Sequence, residues 1–189
     1  MEPQPTDSNL RPERFRPYLR LLAEMELGPE LRTRIDPSDV VQETLLRAHR
    51  GWGEFRGVNE ESLTAWLRQI LSNALSSLRR DHYRERRDIR RERPLGRTID
   101  DSSSRVIELA GRFSSPSHRL NQAELSLRLS TAIVDLPDDQ RQVFLLRHFE
   151  DWSLPKIAEI LGRTRPSVAG LLRRAVEQVR GALPAQDEN

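Results

Sequence analysis

The residues best placed to do chemistry in this 189-residue chain are arginines carried on helices. The segment Trp152-Ser153-Leu154-Pro155-Lys156-Ile157-Ala158-Glu159-Ile160-Leu161-Gly162 is followed by a second helical stretch from Thr164 to Arg180. Ser153 and Thr164 can each cap a helix start, and Gly162 can take the left-handed conformation that ends a helix. Two helices joined by about three residues, with glycine in the turn, describe a helix-turn-helix. Ala158 is small where the two helices would cross. The second helix offers Arg165, Ser167, Arg173 and Arg174 outward. Between Arg163 and Arg180 five arginines stand against one acid, a local net charge of +4. A helix this basic fits a DNA major groove and can neutralise several phosphates. The alternative is an ordinary helical hairpin with a solvated arginine face. Caps, glycine turn, small crossing residue and basic second helix coincide here, which favours the groove.

A second signal lies upstream. Leu63, Trp66, Leu67, Ile70, Leu71, Ala74, Leu75 and Leu78 form an apolar stripe at helical spacing. Arg68, Ser72, Ser76, Arg79 and Arg80 mark a polar face. This face can lie along nucleic acid, with Arg79 and Arg80 on phosphates and Asn73 and the serines reaching bases. The preceding loop supplies Trp52, Phe55 and Arg56, able to stack on an unpaired base. Trp66 belongs to the stripe and reads as core. A surface helix with a charged end is the alternative, and taken alone this signal does not exclude it. A third signal, Asp39-Val40-Val41-Gln42-Glu43-Thr44, carries acids and an amide that can meet a basic partner helix. By itself it equally suits an acidic first turn favoured by the helix dipole. Adjacent acids such as Glu60-Glu61 and Asp138-Asp139 suit helix starts. No catalytic constellation stands out, and the chain is expected not to be an enzyme.

Composition narrows the field. There are no cysteines, which excludes disulfides, a thiolate nucleophile and a cysteine-ligated zinc. The four histidines are scattered without ligand spacing, so neither metal nor cofactor is expected. Lys156 is the single lysine, so nearly all cations are arginine, whose planar fork suits phosphates and guanine edges. Base-composition bias of the source genome would give the same shortage of lysine. No apolar run approaches the roughly 20 residues of a membrane span. The first residues are polar without a signal-peptide core. These features predict a soluble cytoplasmic protein.

The elements that must position these residues are all helical. Phe15, Tyr18, Leu19 and Leu22 predict a first helix, stopped by Gly28-Pro29. Asp36-Pro37-Ser38-Asp39 starts a second, with Val41, Thr44, Leu45 and Ala48 inward. The striped helix follows over Leu63 to Arg80. Residues 79 to 97 hold nine arginines and four acids. Pro94, Gly96, Ser102-Ser103-Ser104 and Ser114-Ser115-Pro116 then read as linker, with no packed domain expected over 84 to 112. Beyond it, Leu120, Leu125, Leu129 and Ile133 mark one helix, and Pro137 opens another carrying Val143, Phe144 and Leu146. The capped pair comes last. The fold class is all-α: two small helical domains on a flexible linker, the C-terminal one a helix-turn-helix.

In this order the signals resemble the extracytoplasmic-function (ECF) sigma factors of bacterial RNA polymerase. The resemblance is carried by Asp36 to Arg50 (DPSDVVQETLLRAHR), Phe55-Arg56-Gly57, Leu63 to Arg80 (LTAWLRQILSNALSSLRR), Leu136 to Arg147 (LPDDQRQVFLLR) and Trp152 to Arg180. It implies a disordered N-terminus over 1–11 and a region 2-like domain over 12–83. It further implies a basic, serine-rich linker over 84–116, a region 4-like domain over 117–183, and a tail over 184–189. It implies a subunit that binds core polymerase through β′ and β, recognises the −10 and −35 promoter elements and promotes DNA opening. Asp39, Val40, Gln42, Glu43 and Arg47 would dock on the β′ coiled coil. Trp52, Phe55, Arg56 and Asn59 would receive a flipped −10 base. Arg68, Ser72, Asn73, Ser76, Arg79 and Arg80 would follow the melted strand. Thr164, Arg165, Ser167, Gly170, Arg173 and Arg174 would read the −35 duplex. An anti-sigma factor is a further partner the family admits; a membrane is not.

The sequence departs from the family where basic residues are common, at Ala169 and Leu171. Gly170, between them, lowers helix stability by roughly 1 kcal/mol relative to alanine; a closely approaching backbone would account for it. The competing functions are a stand-alone helix-turn-helix regulator, which leaves the basic face of Arg68 to Arg80 without a purpose, and a helical adaptor, which predicts no salt-dependent DNA affinity.

Overall fold

The computed structural model describes residues 10–86, 99–113 and 122–183, excepting the side chains of 29–30 and 81–86. The described residues form helices joined by turns: α1 (Arg16–Arg32), α2 (Pro37–Arg50), α3 (Glu60–Arg86), α4 (Ile99–Phe113), α5 (Gln122–Val134), α6 (Asp138–His148), α7 (Leu154–Ile160) and α8 (Arg165–Ala182). None of them is long and apolar enough to cross a membrane. The chain divides into two compact units, residues 1–102 and 103–189.

In the first unit α1, α2 and α3 pack on one another. Tyr18, Leu19, Leu22 and Leu27 of α1 meet Val41, Leu45 and Ala48 of α2 and Leu63, Leu67, Leu71 and Ala74 of α3 in a core from which water is excluded. Gly28, at φ +63°, breaks α1 where the sequence placed its stop. A helical turn resumes and carries α1 to Arg32. Asp36 accepts from the Ser38 amide at 2.8 Å, and Pro37 follows in the first turn, so α2 begins as its sequence dictates. Thr44 is fully buried, and its hydroxyl donates to the Val40 carbonyl at 2.8 Å, which satisfies it.

In the second unit α5, α6, α7 and α8 pack together, with α8 touching each of the other three. Leu125, Leu129 and Ile133 of α5 and Val143, Phe144 and Leu146 of α6 are buried, as their spacing required. Leu120, expected on the same helix as Leu125, lies outside the described residues.

One expectation fails. The stretch 84–116, read as linker, contains the helix α4. Val106, Leu109, Ala110 and Phe113 follow helical spacing and are buried. The triple serine before them obscured the pattern: Ser102 and Ser103 are themselves buried within a helix that serine ordinarily disfavours. Residues 1–9, 87–98 and 184–189, assigned to the disordered start, the linker and the tail, lie outside the described residues.

Candidate nucleic-acid interface

The α7–turn–α8 unit is built from local signals. Ser153 accepts from the Lys156 amide at 3.4 Å, and Thr164 from the Ser167 amide at 3.3 Å. Gly162, at φ +60°, closes α7. Its amide donates to Glu159, and the Arg163 amide reaches back to the Ala158 carbonyl at 2.9 Å. This is the paired pattern that satisfies the last carbonyls of a helix. Ile157, Ala158, Val168 and Leu171 share one core with Val143 and Leu146, which fixes the crossing of α7 and α8. The buried face of α8 therefore turns the other face out. Thr164, Arg165, Ser167, Ala169, Arg173 and Arg174 are exposed and Gly170 half-exposed. A Cβ at Gly170 would meet only the Arg174 guanidinium, at an ordinary 3.5 Å, so packing within the chain does not require glycine there. Arg173 pairs with Glu177 at 2.9 Å, one turn along.

At the other candidate surface, Trp52, Phe55 and Trp66 form an aromatic triangle. Ring centroids lie 5.3 Å apart for Trp52–Phe55, 5.1 Å for Phe55–Trp66 and 6.0 Å for Trp52–Trp66. All three rings are half-buried, so the cluster is both packed and open to a flat ligand. Trp66 was read as core; it lies at the edge of the apolar stripe, outside the fully buried row Leu63, Leu67 and Leu71. Gly57 is where the loop needs glycine, since a Cβ there would overlap the Phe55 ring and the Ser62 Cβ. Arg56 donates to the Gly53 carbonyl at 2.6 Å and folds back over the loop. Asn59 caps α3, its Oδ1 accepting from the Ser62 amide at 2.9 Å.

Along α3 the polar face divides. Asn73 and Arg80 are exposed and Ser72 and Ser76 half-exposed. Arg79 is not available as expected: it donates to the Glu26 carbonyl, lies 3.6 Å from the Glu26 carboxylate and keeps only 18% of its side chain exposed. Arg68 pairs with Asp100 at 3.1 Å.

On α2, Asp39 and Gln42 are exposed, and Glu43 pairs with Arg47 at 2.7 Å. Val40 is 1% exposed and belongs to the core, so it does not present the surface contact expected of it. Leu46, 43% exposed, shares the outer face of Asp39, Gln42 and Glu43 at helical spacing, an exposed apolar side chain the sequence reasoning passed over.

Residues 12–85 match the family model for Sigma-70 region 2, and residues 126–179 that for Sigma-70 region 4. The ECF RNA polymerase sigma factor SigG of Mycobacterium tuberculosis is 31% identical over 168 residues. The chain belongs to the ECF sigma factors. The SigG match takes in 79% of this chain and 42% of SigG, so the chain spans less than half of that relative. RNA polymerase sigma factor YlaC of Bacillus subtilis is 29% identical, over 72% of this chain and 71% of YlaC. The sigma factor RpoE of Bartonella quintana, solved with the anti-sigma factor NepR, is 23% identical, covering 88% of this chain and 90% of that one, at a TM-score of 0.32. The aromatic triangle and α3 thus fall in region 2, and α7 and α8 in region 4. The helix α4 lies in neither matched segment.

Region 4 also holds a perturbed histidine. The His148 ring lies 4.4 Å from that of Phe144 and 6.1 Å from that of Phe113. Burial among these rings, reinforced by Arg147, lowers its pKa to about 4.

Proposed function

We propose that this sigma factor confers promoter recognition on RNA polymerase. In this reading α8 enters the major groove of the −35 element. Arg165 and Arg174 contact phosphates or guanine edges, Thr164 and Ser167 bond at the helix start, and Gly170 admits a close approach. The Trp52–Phe55–Trp66 triangle stacks an unpaired base of the −10 element. Ser72, Asn73, Ser76 and Arg80 follow the opened strand along α3. Asp39, Gln42, Glu43, Arg47 and Leu46 dock on the β′ subunit, while Arg56 and Asn59 hold the loop in shape. The protein works as a subunit, binding DNA and polymerase rather than making or breaking bonds, and it does so in the cytoplasm.

The observation that carries this reading is the outward face of α8, a row of exposed cations fixed by a shared α7–α8 core and started by the Thr164 cap. The test is transcription in vitro with purified core polymerase and a fragmented genomic template, with start sites mapped. Discrete starts that require the protein, preceded by a shared pair of upstream elements, are expected. Absence of any protein-dependent start would overturn the reading.

A further inference from the structure

Of the three arginines of α3 that the sequence offered to a DNA strand, Arg68 and Arg79 have acidic partners in the free chain, and both routes lead to the start of α4. Arg68 faces the Asp100 carboxylate at 3.1 Å. Arg79 is tied to Glu26, and the Glu26 carboxylate accepts from the Ser102 hydroxyl at 2.8 Å. Ser102 is fully buried and the Glu26 side chain 6% exposed, so the Ser102–Glu26–Arg79 chain is a sheltered anchor. The Arg68–Asp100 pair is different: Asp100 is 75% exposed, and salt screens such a pair. A carboxylate and a phosphate offer a guanidinium the same kind of charged oxygen acceptor. Asp100 therefore occupies on Arg68 the place a strand phosphate would take. The likeness to the family does not account for this arrangement, because α4 lies outside both matched segments.

We propose that the first turn of α4 is a built-in occupant of the strand-binding face, held by Ser102 on Glu26 and covering Arg68 with Asp100 until a single strand displaces it. This rests on the assignment of α3 to the opened strand. Displacement lets a phosphate take the place of Asp100 on Arg68 and leaves Arg79 on Glu26. The occupant disfavours binding of stray single strands by the free subunit.

The test is an anisotropy titration of the full-length chain against a labelled 15-nucleotide single strand of mixed sequence at low salt. Asp100→Asn, and Asp100→Asn combined with Ser102→Ala, are expected to bind about three- to tenfold tighter than the parent. The gain should vanish when Arg68→Ala is added. Glu108→Gln, which removes one charge elsewhere on the same helix, should leave affinity unchanged. Asp100→Asn alone keeps the test valid if loss of the Ser102 hydroxyl perturbs folding. Equal affinity of parent and variants, or the same gain with Arg68 absent or in Glu108→Gln, would overturn the inference while leaving strand binding intact. Failure of every variant to bind the strand would overturn the assignment of α3 itself, and this inference with it.

Discussion

The cations of α8 and those of α3 are alike in the sequence, yet Arg165 and Arg174 on one and Arg68 and Arg79 on the other differ in the structure. On α8, Arg165 and Arg174 stand exposed, on a helix whose buried face is fixed by Ile157, Ala158, Val168 and Leu171. On α3, Arg68 and Arg79 are committed to Asp100 and Glu26. A duplex-reading surface can be finished before DNA arrives, because the groove is already there. A surface for an opened strand, the role proposed for α3, meets its ligand only after melting, and here part of its charge is held by the chain's own acids.

The comparison predicts its sharpest effect on duplex binding. Arg165→Ala with Arg174→Ala should weaken affinity for a cognate −35 duplex by at least about tenfold and reduce the slope of log K against log salt by about 2. Arg68→Ala with Arg79→Ala should leave that slope unchanged. Next in size is the loop: Gly57→Ala must push Phe55 or Ser62 aside, and should lower stability by about 1–3 kcal/mol. It should weaken single-strand binding while duplex affinity stays at the parent value.

Within α3 the adjacent Arg79 and Arg80 should separate. Arg79→Ala removes the partner of the nearly buried Glu26 and should cost about 1–3 kcal/mol in thermal or urea unfolding. Arg80→Ala should leave unfolding unaltered within about 0.5 kcal/mol and lower single-strand affinity. Region 4 carries its own signature in pH. The His148 pKa is depressed to about 4 in the fold, against roughly 6.5 when unfolded. Between these values the unfolded state binds the extra proton, so stability is full above about pH 6.5 and is lost as pH falls toward 4. His148→Gln should remove that part of the pH dependence, read from urea midpoints across this range. The smallest effect is at Gly170. Gly170→Ala should stabilise α8 by roughly 0.5–1 kcal/mol, and a fall in duplex affinity alongside the raised midpoint would mark a close approach to DNA.

What could be seen in advance follows from the range of the interactions. The starts of α2, α7 and α8 were legible because each is set by a side chain within three residues of the amide it caps. The turn at Gly162 was legible for the same reason. The commitment of Arg79 was not, because its partner Glu26 lies 53 residues away and only the packing of α1 on α3 brings them together. Val40 looked like part of an exposed acidic patch, yet α2 is clasped by both α1 and α3 and buries Val40 along with Val41. The helix α4 was hidden by three serines in a row, though Val106, Leu109, Ala110 and Phe113 carried its period in plain view.

The division of labour between α8 and α3 is tested most directly by position-specific photo-crosslinking in a promoter complex with core polymerase. A crosslinker replacing Ser167 should attach to duplex DNA at the −35 element, and one replacing Ser72 to a melted strand at the −10 element. Crosslinks from Ser72 that reach only duplex, or none from Ser167 near −35, would contradict the account.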